Sequence, residues 1–217
     1  LSIIDKNCYR LIRLVNNIID VAKIDANFMK LNLENLNAIE FLEDLVMSVI
    51  PYAENKNIDI IFDTQEEEVI MALDKEKMER VVLNLLSNAI KFSNDGGDIF
   101  FNVYIENNEL VFYVADNGIG INEEDLEKIF EKFIQVDETM TRKNEGSGIG
   151  LSLVKSFVEF HNGKICVESK PRQGSKFTVK LPIQTIEQHN INIDKNLDKD
   201  RTNDTISTKV EFSDIYF

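Results

Sequence analysis

Asn84, Asn88 and Lys91 lie four and three residues apart in the stretch Asn84-Leu-Leu-Ser-Asn-Ala-Ile-Lys-Phe92. On an α-helix, positions three and four apart share a face. Two amides and an ammonium therefore line one stripe, with Leu85, Leu86, Ala89 and Ile90 off it. An amide oxygen is a hard donor suited to Mg²⁺, and a lysine suits phosphate. An amphipathic helix with a polar outer face would give the same pattern, and two glycine-rich segments tip the balance. Asp116-Asn-Gly-Ile-Gly-Ile121 closes a strand-like run. Asp116 offers a carboxylate acceptor that an adenine exocyclic amine would suit, and Gly118 and Gly120 allow a flat ligand close to the backbone. An ordinary Asp-Asn-Gly turn is the plain alternative. Gly146-Ser-Gly-Ile-Gly-Leu151 opens an apolar helix whose N-terminus can receive an anion. Its G-x-G-x-G spacing is not the dinucleotide fingerprint, and no Gly-Lys-Ser/Thr follows to make a P-loop. Between the two, residues 135–145 are polar without apolar periodicity and read as a long loop of the kind that carries function.

The elements that must position these groups can be read from hydrophobic period. Residues 1–25 form a helix with a heptad seam at Ile4, Leu11 and Ile18 and at Cys8, Val15 and Ala22, widened by Ile12 and Ile19. Such a seam calls for a partner helix from upstream or from another subunit; a single helix packed on the core of the following domain is the plainer, less favoured alternative. Lys30 to Leu36 reads as a short strand, and Ala38 to Asn55 as a helix that Pro51 kinks or ends. Ile58 to Asp63 and Val69 to Leu73 are strand-like around a charged turn. Asp74 is placed to cap the helix that carries Asn84 and Asn88. Ile99 to Ile105 and Leu110 to Ala115 form a hairpin. Asn122 is expected to cap a helix over Glu123 to Phe130. Lys164 to Glu168 and Lys176 to Leu181 make a final strand pair. Beyond Pro182 the composition turns polar, so residues 184–217 read as a disordered tail; Val210, Phe212 and Tyr216 make a short apolar segment that could dock or add a strand, with a frayed end the favoured reading.

A hydrophobic content of 43% supports a real core, and 217 residues suit one domain with extras. The net charge of −14 argues against a nucleic-acid partner. Cys8 and Cys166 are distant and lack metal-ligand spacing, which fits a reducing compartment. There is no apolar run of membrane-spanning length and no signal peptide. The chain opens in mid-pattern and without Met. It therefore reads as the cytoplasmic portion of a longer protein that an upstream segment can anchor in a membrane.

Four segments in order now carry a resemblance: Asn84 to Phe92, Asp116 to Gly120, Phe130-Glu-Lys-Phe133, and Gly146 to Leu151. They resemble the N, G1, F and G2 boxes of sensor histidine kinases of two-component systems. The resemblance covers residues 1–183. It implies that Asn88 is the Mg²⁺ ligand, that Asn84 supports the metal or its water, and that Lys91 contacts ATP phosphates, with Phe92 near the nucleotide. Asp116 would read the adenine amine, with Gly118 and Gly120 beside it. Phe130 and Phe133 would anchor a lid over ATP. Gly146, Ser147, Gly148, Gly150 and Leu151 would form the lid's far hinge and phosphate contact, and Arg142 would lie in the lid. Glu145 stands where many relatives carry a further glycine. Residues 1–26, ending in Val-Ala-Lys-Ile-Asp, resemble the second helix of the dimerisation and histidine-phosphotransfer hairpin.

The fold so implied is α/β (α+β): a two-layer sandwich of mixed sheet and helices, the histidine-kinase-type ATPase fold, with an N-terminal coiled-coil-like helix. The catalytic domain would occupy residues 27–183. The implied activity is transfer of the ATP γ-phosphoryl group to a histidine on an upstream helix, for relay to the aspartate of a response-regulator receiver domain, within a homodimer. The chain's histidines are His161 and His189. His161 resembles a structural turn residue and His189 lies in the tail, so neither is expected to be phosphorylated. Two rivals stand beside this reading. One is an ATPase whose lid drives a conformational cycle, as in topoisomerases and chaperones, against which the heptad helix argues. The other is a non-catalytic nucleotide-binding module, against which the intact boxes argue.

Overall fold

The computed structural model describes residues 3–134, 147–187 and 208–214. A five-stranded mixed sheet runs in the order β2-β4-β5-β7-β6, from β2 (Asp59–Thr64), β4 (Asp98–Glu106), β5 (Glu109–Asp116), β6 (Lys164–Ser169) and β7 (Ser175–Pro182). The β2–β4 pair is parallel and the other three are antiparallel. Helices α2 (Ala38–Glu54), α3 (Lys75–Phe92) and α4 (Gly150–Phe160) cover one face. The alternation along β4 shows why: Ile99, Phe101 and Val103 are fully buried beneath the helices, whereas Phe100 points away. Phe101 stacks on Phe112 of β5 at 5.6 Å, and Leu86, Ile90 and Phe157 close the core from the helix side.

The β4–β5 hairpin turns through Asn107 and Asn108, both left-handed at φ 52° and 63°, a conformation asparagine tolerates. The expected strand at Lys30 to Leu36 is shorter and later: β1 is Glu34–Asn37, and it pairs antiparallel with β3 (Ile70–Leu73) in a separate two-stranded sheet. The apolar runs flanking the charged turn at 65–68 are therefore not partners, because β2 joins the main sheet and β3 leaves it. Helix α2 runs through Pro51 to Glu54. Pro51 lacks the N–H that would reach the Met47 carbonyl, and only three helical residues follow it. The expected helix over Glu123 to Phe130 is instead two 3₁₀ turns, Glu123–Asp125 and Lys128–Phe130, and the Asn122 side chain caps neither.

Helix α1 (Ile3–Asp25) carries the heptad pattern, but its seam faces outward: Ile4, Leu11 and Ile18 are 73%, 62% and 56% exposed. A different face docks. Arg13, Asn17, Asp20 and Val21 are buried, and Arg80 of α3 reaches across to the Asp20 carboxylate and to Asn17 Oδ1 at 2.7 Å. The end of the chain also differs from the reading above. Ile186 exchanges two hydrogen bonds with Asn35, and the helical turn over residues 208–214 packs on α1 and α2, with Phe212 2% exposed and its ring 4.7 Å from Tyr52. The apolar segment expected to fray is thus docked, with Thr208 Oγ1 also 3.4 Å from Ser48 Oγ of α2. Tyr216 lies outside the described residues.

Candidate nucleotide site

Helix α3 starts where Asp74 stops the extended chain. Its Oδ1 accepts the Lys77 N–H at 3.0 Å, and its Oδ2 accepts the Asn32 N–H at 2.8 Å. The Asp74 N–H itself donates to Nε2 of His161 at 3.0 Å, while Nδ1 of the same ring faces the Phe157 carbonyl at 2.7 Å. An N–H pointing at Nε2 requires a lone pair there, so the proton sits on Nδ1. Burial lowers the His161 pKa against the opposing influence of the Phe157 carbonyl and Asp74. The ring is neutral, both nitrogens are engaged, and it serves to join α4 to the start of α3.

Along α3 the expected polar stripe is present. Asn88 donates Nδ2 to Asn84 Oδ1 at 3.2 Å, and Asn84 donates its own Nδ2 to Glu211 Oε1 at 2.9 Å. The Asn88 bond uses nitrogen and leaves the amide oxygen as the atom that suits a hard cation. Lys91 lies with its ammonium 5.1 Å from the Phe92 ring centre, and that ring is 36% exposed. The last turn of α3 is held by Lys56, whose ammonium donates to the carbonyls of Ile90, Lys91 and Ser93 at 2.9, 3.1 and 3.4 Å. A helix C-terminus leaves such carbonyls unpaired and attracts a cation. Nothing in the spacing of Lys56 marked it for this task.

Asp116 ends β5 opposite Ile99. Its carboxylate accepts the backbone N–H of Gly118 at 2.8 Å and that of Ser175. Burial raises its pKa above the usual carboxylate value, and these two N–H groups pull the other way. The Ile119 N–H donates to the Phe92 carbonyl at 3.2 Å, which ties this loop to the end of α3. The glycines serve this internal fit as well as any ligand. A Cβ on Gly118 would stand 2.1 Å from the Phe92 carbonyl oxygen, and one on Gly120, at φ 68°, 2.0 Å from that of Lys170. Gly174 went unnoticed as a site residue, although at φ 81° its absent Cβ would lie 1.8 Å from the Asp116 carbonyl oxygen.

At the far side, the Phe133 N–H donates to the Gly148 carbonyl at 2.8 Å, pinning together the two ends of the segment between them. Phe130 is half-buried and meets Phe177 edge-on at 6.4 Å, while Phe133 is 65% exposed. Helix α4 begins at Gly150, where no side chain caps the N-terminus; Ser147 Oγ accepts the Ile149 N–H at 3.4 Å, and Leu151 is half-buried. A Cβ on Gly150 would come within 2.5 Å of Asn84 Nδ2, so this glycine makes room for the α3 stripe. The expectations for Arg142 and Gly146 fall outside the described residues. Among the described residues, no group of three or more His, Cys, Asp or Glu stands ready to hold a metal, and no helix is long and apolar enough to cross a membrane. A Mg²⁺ that keeps water and phosphate oxygens needs only one or two protein oxygens, which the Asn88 amide fits.

Comparison with known proteins bears on the family and the fold. Residues 73–185 match the family described as histidine kinase-, DNA gyrase B- and HSP90-like ATPases, and the chain belongs to that family. Hybrid signal transduction histidine kinase D of Dictyostelium discoideum is 35% identical over 84% of the chain, and the sensor histidine kinase WalK of Bacillus subtilis 32% identical over 80%. The chain spans only 12% and 28% of those two proteins. The full-length structure of ShkA in complex with AMPPNP superposes with a TM-score of 0.72 at 25% identity, covering 83% of this chain and 37% of that one. The fold is that of histidine kinase ATPase domains.

Proposed function

We propose that the chain is the ATP-binding catalytic portion of a sensor histidine kinase, and that Asn84, Asn88, Lys91 and Asp116 carry its site. The observation that supports this best is the Ile119–Phe92 backbone bond, which seats the Asp116 loop against the end of the helix bearing Asn88 and Lys91. An adenine acceptor, a metal-suited amide and a phosphate-suited ammonium then belong to one rigid unit. Mg²⁺, held by the Asn88 oxygen, would neutralise phosphate charge. Lys91 and the uncapped N-terminus of α4 would add positive potential where the phosphates lie. Phosphoryl transfer depends chiefly on such positioning and neutralisation. Phe92, Phe130, Phe133, Gly118, Gly120, Ser147, Gly148, Gly150 and Leu151 would shape the nucleotide's surroundings.

The acceptor in this reading is a histidine on a helix that packs on the outward seam of α1, completing a homodimeric bundle, and its phosphate passes to a response-regulator receiver domain. Residues 1–26 would then be the second bundle helix and residues 27–183 the catalytic domain, working on the cytoplasmic side. Calorimetric titration with ATP, with and without Mg²⁺, tests the core of this. Asn88→Ala is expected to abolish the enhancement of affinity by Mg²⁺ while the domain stays folded. Enhancement undiminished in that variant would remove Asn88 from the metal site.

A further inference from the structure

We propose that Glu211, in the C-terminal helical turn, is a positioning residue for the cation ligand Asn88, acting through the Asn84 amide. This rests on the reading of Asn88 as the Mg²⁺ ligand. A carboxylate only accepts hydrogen bonds. Glu211 Oε1 therefore fixes which way the Asn84 amide faces: Nδ2 toward the carboxylate at 2.9 Å, Oδ1 toward Asn88. Asn88 must answer with its own Nδ2, at 3.2 Å. Its remaining polar atom is the oxygen, which is the atom a cation requires. Without the carboxylate, the Asn84 amide is free to turn over and present its NH₂ to Asn88. Asn88 would then answer with oxygen and aim its NH₂ at the cation.

Glu211 is built in for such a role. It is 7% exposed. Its backbone carbonyl accepts from Arg13 Nη1 at 2.9 Å, and the same nitrogen lies 3.8 Å from the carboxylate. Its neighbour Phe212 is buried against Tyr52, which anchors the turn to α2. The Arg13 charge offsets that of the carboxylate, so the relay orients the amide without placing an uncompensated negative charge beside phosphate. Gly150 closes the other side, since a Cβ there would stand 2.5 Å from Asn84 Nδ2. Three helices and the C-terminal turn thus converge on the orientation of one amide.

The test measures affinity for AMPPNP with and without Mg²⁺ in the whole chain, for wild type, Glu211→Ala, Asn84→Ala and the double variant. Glu211→Ala is expected to lower the Mg²⁺ enhancement about tenfold, the lower end of what a hydrogen bond to a charged acceptor is worth. Affinity without Mg²⁺ should hold, and Glu211→Ala should add nothing in the Asn84→Ala background. In nucleotide-free protein, ¹⁵N spectra should show the Asn84 side-chain amide losing protection from exchange in Glu211→Ala, and equally in Phe212→Ala, which releases the turn. Equal losses with and without Mg²⁺, additive effects with Asn84→Ala, or tighter Mg²⁺-nucleotide binding in Glu211→Ala would each overturn the relay. Asn88→Ala is the control that separates the two claims. Full enhancement in that variant overturns the cation reading itself. Lost enhancement there, with none lost in Glu211→Ala, overturns the relay alone.

Discussion

Replacing Asp116 by alanine removes the group that would recognise the base. In the structure its carboxylate is pre-set by two backbone donors, Gly118 and Ser175, at the end of β5. A hydrogen bond to a charged acceptor is worth about 1.5–3 kcal/mol, or roughly tenfold to 150-fold in affinity. ATP and ADP should weaken by that factor alike, because both carry adenine. GTP presents a carbonyl where ATP has the amine, so wild type should favour ATP and Asp116→Ala should bring the two toward equality. The variant also strands two N–H groups, and its melting temperature should fall by an amount that thermal unfolding without nucleotide measures separately. Acidity gives an independent handle. Burial raises the Asp116 pKa, so protonation, and with it loss of ATP affinity, sets in at a higher pH than for an ordinary aspartate. The same shift means that the folded state binds this proton more tightly than the unfolded chain, so Asp116 lends stability at low pH and loses it as pH rises through its folded pKa. Calorimetry with ATP, ADP and GTP across pH reads all of this. An ATP affinity unchanged by Asp116→Ala, or ATP and GTP weakened in equal proportion, would refute base recognition by this residue.

Gly174→Ala should lower the melting temperature and ATP affinity together, since a side chain at φ 81° costs about 1–2 kcal/mol and its Cβ would displace Asp116; an unchanged melting curve would contradict the geometry. Burial depresses the His161 pKa from its ordinary 6.5, so the stability it contributes is present above that value and is lost as pH falls through the folded pKa. Denaturant melts of wild type should therefore weaken on acidification below 6.5, and His161→Gln should flatten that slope while melting lower at neutral pH. Lys56→Met should cost about 1.5–3 kcal/mol in the same melts by leaving the end of α3 without its cation. Stability equal to wild type would show the Lys56 contacts to be dispensable.

The parts of this site that stood out in the sequence are those whose chemistry depends on local spacing. Asn84, Asn88 and Lys91 share a face because a helix has a fixed period, and Asp74 announced the start of that helix by its type and place. Lys56, Gly174 and Glu211 act across 34, 58 and 127 residues of chain, and no periodicity connects them to their partners. The heptad pattern of α1 was clear, but the polar face by which α1 docks was hidden behind it: Arg13, Asn17 and Asp20 look like solvent residues until Arg80 and Glu211 are brought to them. Composition spoke for disorder at the C-terminus, whereas Phe212 against Tyr52 and Glu211 against Arg13 and Asn84 seat a turn there. The short strand at Glu34–Asn37 was misplaced because alternation at Leu31 and Leu33 mimics a strand, whereas pairing with β3 decides where one forms.

The fate of the γ-phosphoryl group distinguishes a kinase domain from one that only binds nucleotide. The chain and a version extended upstream through the proposed acceptor helix are incubated with Mg²⁺ and γ-labelled ATP, and labelled sites are mapped by mass spectrometry. The extended protein should acquire acid-labile phosphohistidine on the upstream helix and should dimerise through the α1 seam, while this chain alone should bind nucleotide and remain unlabelled. His161 cannot take part, because both of its ring nitrogens are held within the fold, and transfer requires near-attack geometry. Label on His161, or an extended protein that binds ATP and never forms phosphohistidine, would contradict the account.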